Sequence, residues 1–213
     1  MKTIKLVITG LFVSLISSTT GFAQTNTGET SGGLKGGLNF SNMYVDDVDD
    51  SNVLLGLNIG LYGNFPLGNS LAFQPELNFT TKGSEVTYDN ILDSGTRKFR
   101  LSYLEVPLLL KANLTKNFNL QFGPYLAFLI DSKIKNVSSD GSYTIDDLDE
   151  DDFNRFDAGL SGGVGFDFDT VGIGLRYNYG LKTVGKDQQI GGATYNALDA
   201  KNSNANLYIA FKF

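Results

Sequence analysis

The sequence predicts an all-β chain, an eight-stranded antiparallel up-and-down barrel that crosses a membrane with its strands. Three observations lead there. Apolar residues alternate with small polar ones at period two over stretches of about ten residues, long enough to cross a bilayer as tilted strand. Connections between these stretches alternate long and short. The face opposite the apolar one carries Gly, Asn, Ser and Ala, which fit a crowded lumen, rather than the Lys and Glu of a solvated sheet.

Taken in order, residues 1–23 read as a signal peptide. Lys2 and Lys5 form a positive start, residues 6–16 are an apolar run, and Gly21-Phe22-Ala23 offers small residues for cleavage before Gln24. The run is too short for a membrane-spanning helix, and no later stretch approaches the roughly 18 uninterrupted apolar residues one needs. Any crossing is therefore expected to be by strands. Residues 24–32 read as a flexible polar tail, and residues 33–213 as the barrel domain.

The first strand is expected at about 33–42, with Leu34, Leu38 and Phe40 on one face and Lys35, Asn39 and Ser41 on the other. The second, about 54–65, sets Leu55, Leu57, Ile59, Leu61 and Phe65 against Gly56, Asn58, Gly60, Tyr62 and Asn64. Pro66-Leu67-Gly68-Asn69 is a compact turn signature. The third, about 70–82, alternates Leu71, Phe73, Leu77 and Phe79 with Gln74, Glu76, Asn78 and Thr80. A central hairpin over 103–130 turns at 113–117. Two more strands, about 156–168 and 171–181, turn at Asp169-Thr170, and a last one follows residue 204. Loops are expected at 43–52, 83–96, 131–155 and 182–204. Three short turns on one side and four long loops on the other, with an even strand count, match an outer-membrane barrel with periplasmic turns and external loops.

Composition narrows the function. Without Lys2 and Lys5, 15 basic residues face 23 acidic ones, a net charge of −8. That balance speaks against nucleic-acid binding, which wants a basic face. There is no cysteine, so no disulfide or thiolate chemistry, and no histidine, so no Ser-His-Asp triad and no imidazole ligand. Barrel enzymes such as outer-membrane phospholipases and lipid A deacylases need a catalytic histidine that this chain does not have.

Four stretches resemble a known group: YLEVPLLLK at 103–111, GPYLAFLI at 123–130, FQPELNFTTKG at 73–83 and RYNYGL at 176–181. Taken in chain order they resemble the outer-membrane β-barrel family typified by PorT-like proteins of Bacteroidetes. The resemblance spans the mature chain. It implies a barrel in the outer membrane and, for members like PorT itself, a part in protein secretion across the envelope. It brings no catalytic residues and no cofactor.

Glu76, Glu105 and Arg176 all fall on inward positions, Glu76 and Arg176 at similar depth. A Glu76–Arg176–Glu105 network is the expected way to neutralise charge inside a narrow barrel. A paired-carboxylate acid/base site is the functional alternative. Asp147, Asp149 and Asp151 echo half of a calcium loop, but Asp152 stands where glycine belongs and Ala158 where glutamate does. A solvated acidic loop is the expected reading of that run. Pro75, Pro107 and Pro124 interrupt three adjacent strands at one depth and predict a row of β-bulges. Phe213 is a terminal aromatic of the kind that marks barrels for insertion, and Tyr177 and Tyr179 read either as interfacial aromatics or as lipid-facing bulk. The leading expectation is a non-enzymatic anchor without cofactor or metal. It would face outer-membrane lipid and present mobile acidic loops, in company with envelope or secretion proteins. The alternative is a small barrel that binds or passes a small apolar molecule.

Overall fold

The computed structural model of the chain describes residues 29–44, 51–90, 93–138, 143–147, 154–184, 188–190, 193–195 and 201–213. Eleven strands and no helix form among the described residues. They are β1 (Ser31–Tyr44), β2 (Ser51–Pro66), β3 (Leu71–Asn90), β4 (Asp93–Asn113), β5 (Phe118–Ser138), β6 (Tyr143–Asp147), β7 (Phe156–Asp167), β8 (Val171–Thr183), β9 (Gln188–Ile190), β10 (Ala193–Tyr195) and β11 (Lys201–Lys212). Eight of them make a closed ring in the order β1-β2-β3-β4-β5-β7-β8-β11, with every pair antiparallel and β11 returning to β1. Closure is what a bilayer demands of a sheet, because an open edge would leave backbone N–H and C=O groups unpaired in hydrocarbon. β6 adds to the outer end of β5, and β9 and β10 form a separate hairpin between β8 and β11.

Parity decides which side each residue faces. Leu57 and Ile59 are 62% and 61% exposed, whereas Lys35, Glu76 and Arg176 are 2–3% exposed. A soluble fold would bury the first set and solvate the second; a barrel in lipid inverts both. Outward Leu, Ile and Val form a band with Phe65, Phe118, Phe166 and Phe211 towards the short turns and Phe40, Phe128 and Phe156 towards the long connections. Phe118 and Phe166 pack with ring centroids 5.0 Å apart. Paired aromatic girdles around an aliphatic band are the outer surface of a membrane barrel.

Three expectations are corrected. The loop at 83–96 is largely ladder: β3 and β4 stay paired from Gly83↔Arg100 through Val86↔Arg97 to Asn90↔Asp93. Likewise β5 runs on to Ser138, and β1 begins at Ser31, inside the expected tail. Once a strand leaves the bilayer both faces can be polar, so its alternating signature fades while its pairing continues. The expected signal peptide at 1–23 and residues 24–28 lie outside the described residues.

The prolines make no bulges. Register is unchanged across all three, and each ladder instead skips two pairs. The gaps fall between Tyr62↔Glu76 and Phe65↔Phe73, between Pro75↔Leu108 and Asn78↔Glu105, and between Pro107↔Tyr125 and Leu110↔Phe122. Each proline withholds one donor from the preceding strand, and the neighbouring bonds hold the register. The irregularities that do occur lie nearer the long connections, between Val53 and Asn58, Ser102 and Tyr103, and Lys201 and Ser203.

Candidate functional site

The inward face converges on two ionic layers. In the layer nearer the short turns, Arg176 on β8 forks onto Glu76 on β3, with Nη1 donating to Oε2 at 2.7 Å and Nη2 to Oε1 at 2.9 Å. Lys35 on β1 donates to the same carboxylate at 3.0 and 3.2 Å. Gln74 donates to Oε1 at 2.8 Å and Asn78 to Oε2 at 3.0 Å. Each carboxylate oxygen thus accepts three donors, the arrangement that makes a buried charge tolerable. β3 and β8 are four places apart in a ring of eight, so this ion pair crosses the barrel from wall to wall.

Arg176 also donates to Gln121 Oε1, and Gln121 in turn donates to Asn119 at 2.9 Å and to the Tyr208 hydroxyl at 3.0 Å. Lys35 Nζ stands 3.9 Å from the centre of the Tyr208 ring, within cation–π range. The Tyr208 ring occupies the space a Cβ at Gly174 would need. That is one reason the inward face of β8 carries glycine. Below this layer Lys111 meets Asp167 at 2.5 Å.

The second layer is centred on Lys82 of β3. It pairs with Glu105 of β4 at 2.5 Å and reaches Asp157 of β7 at 3.7 Å. Tyr125 and Asn202 donate to Asp157 Oδ2 at 3.3 and 3.1 Å, and Lys82 Nζ lies 4.4 Å from the Tyr125 ring centre. Leu101, Tyr103, Ala127, Leu129 and Val184 are buried with Tyr125 around it. Between the layers runs an amide chain, in which Asn39 joins Thr80 at 2.6 Å and Asn206 at 2.8 Å, and Asn178 joins Ser161 at 2.6 Å and Asn204 at 3.2 Å.

Of the three residues expected to meet, Glu76 and Arg176 do. Glu105 does not join them; it bonds to Lys82 one layer up. Glu76 is already saturated, and a second carboxylate beside it would add repulsion without a new cation. Lys35, Lys82 and Asp157 were missed as partners although their inward parity was legible. Both carboxylates of the acid/base alternative are almost fully buried, Glu76 at 2% and Glu105 at 1% exposure. Asp147 lies in β6, while Asp149, Asp151 and Asp152 fall outside the described residues. Among the described residues no three carboxylates gather to hold a metal ion. Tyr177 and Tyr179 face outward at 50% and 40% exposure, and Phe213 is 77% exposed.

With this geometry in place, comparison with known proteins gives a family. Residues 22–184 match the model of the family described as outer membrane protein beta-barrel domain. No curated protein matches the chain. Among solved structures, Ail, the attachment invasion locus protein of Yersinia pestis, in complex with the heparin analogue sucrose octasulfate, is similar at 15% identity. That match covers 87% of this chain and 100% of the other, with a TM-score of 0.47. Neisserial surface protein A is similar at 13% identity over 87% of this chain and 100% of its own, with a TM-score of 0.49. OprG from Pseudomonas aeruginosa is similar at 13% identity over 86% and 94%, with a TM-score of 0.42.

Proposed function

The chain belongs to the outer membrane protein β-barrel domain family, and on that premise we propose that it is a non-enzymatic anchor whose lumen is a structural plug. It is exported by its N-terminal signal peptide, sits in the outer membrane among lipid, and displays its long connections to the exterior for envelope or secretion partners. The likeness to PorT-like proteins supports the secretion side of this reading. The observation that carries it is the Glu76–Arg176 fork, which ties opposite walls of the barrel together, with the Lys82–Glu105 pair forming a second tie one layer up.

The second reading, capture or passage of a small apolar molecule, has the three skipped ladders at Pro75, Pro107 and Pro124 in its favour. An apolar molecule entering there would meet Glu76 and Gln74 behind the wall. Planar-bilayer recording with the refolded protein decides between the readings. The anchor predicts a flat baseline and no saturable uptake of small apolar probes into vesicles. Steady conductance steps, or saturable uptake, would overturn it and recast the Glu76–Arg176 tie as a gate.

A further inference from the structure

We propose that the external rim over β4, β5, β7, β8 and β11 binds the phosphate-bearing headgroups of outer-leaflet lipid. The proposal rests on the orientation given above, with the long connections facing outward. Five consecutive strands each carry a cation near this edge: Arg100 on β4, Lys133 on β5, Arg155 just before β7, Lys182 on β8 and Lys201 on β11. Arg100, Lys133, Arg155 and Lys182 are exposed and Lys201 is half-buried. Lys98 adds a sixth positive charge on β4.

The outward-facing acidic side chains described at this level are two, and each is engaged. Glu85 meets Lys98 at 2.7 Å and Asp131 meets Lys133 at 3.3 Å. Across β5, on the side away from Arg100, β6 sets Asp147 opposite Lys133 in register. Among the described residues this edge therefore carries more positive than negative side chains, in a chain with a net charge of −6.

Arg100 is the centre of the site. It stands directly opposite Lys133 in the β4–β5 ladder, with Leu101 and Ser132 as the buried pair beside them, so both cations point away from the lumen. Like charges set opposite each other destabilise a sheet unless an anion lies between them. On its other side Arg100 faces Gly83, which offers no side chain. Among the described residues its guanidinium has no partner, and that planar fork suits phosphate oxygens.

Height agrees with a headgroup. Phe128, in the outer aromatic girdle, pairs with Leu104, four residues before which lies Arg100. At strand rise and barrel tilt that places the guanidinium roughly 10 Å beyond the girdle. Lys182 Nζ lies 4.8 Å from the ring centre of Phe156 in the same girdle, so its charge also sits where hydrocarbon gives way to headgroups.

The test is a titration of the full, detergent-folded barrel with fluorescent diphosphoryl lipid A, repeated with its dephosphorylated form. Saturable binding of the phosphorylated form is expected, weakening as salt is raised. Arg100→Glu with Lys133→Glu should weaken it by at least about tenfold, while Lys212→Glu at the short-turn end should leave it unchanged. Folding of each variant is checked by its heat-dependent gel mobility, and Arg100→Gln with Lys133→Gln serves if the reversal does not fold. Equal binding of the dephosphorylated lipid, or full affinity in the folded rim variants, would overturn the site. A barrel that conducts yet still binds lipid A through this rim would overturn the plug and leave the site standing.

Discussion

Glu76→Ala is expected to destabilise the folded barrel by about 3–5 kcal/mol, the cost of leaving buried charge without its partner. The substitution strands two cations, because Lys35 and Arg176 share this one carboxylate and are 2% and 3% exposed. Gln74 and Asn78 lose their acceptor at the same time. Arg176→Ala should cost less, since Glu76 keeps Lys35, Gln74 and Asn78. Equilibrium folding into lipid vesicles, followed by urea titration, measures both. Equal losses, or no loss at Glu76, would mean that the lumen rearranges around the gap and that the tie is not what closes it.

On the opposite face of the wall, Leu57→Arg should cost about 2–4 kcal/mol, the penalty for a guanidinium near the middle of the hydrocarbon. Leu57 lies in the central part of β2 and is 62% exposed, with apolar Leu55 and Ile59 on either side of it on the same face. Val53→Arg on the same strand, 57% exposed but near the outer end, should cost only about 0–1 kcal/mol. The same urea titration reads both variants. A soluble sheet with a solvated face would show no such gradient with depth, so equal costs at the two positions would sink the lipid-facing assignment of β2.

These two substitutions separate what local pattern encodes from what assembly adds. Leu57 could be placed on the outer wall from parity alone, because successive side chains on a strand must point to opposite faces whatever the strand pairs with. The same rule put Glu76, Glu105 and Arg176 inside. It put Lys35 there as well and applies equally to Lys82 and Asp157, but parity names no partners. The ends of β3, β4 and β5 were less legible. Beyond the bilayer no apolar face marks the strand, and only the partner's ladder keeps it extended.

The prolines teach a related point. A missing donor at Pro75, Pro107 or Pro124 is visible in the sequence, but its consequence is not. A bulge and a skipped pair both accommodate it, and the flanking ladders, held in register on either side, decide for the skipped pair.

An all-β chain, a count of eight barrel strands, the facing of side chains within the apolar band and the end at which the turns are short can all be read from the residues alone. All of these follow from period-two alternation and turn chemistry, which are properties of neighbours along the chain. Parity and depth anticipate the Glu76–Arg176 contact, whereas the choice of Lys82 for Glu105 and of Lys35 as the second cation at Glu76 is made in the folded ring. Those partners lie on different strands, and in the first case 100 residues apart. Which inward charges meet depends on the stagger of eight strands around a closed ring, and that stagger is set when the ring closes.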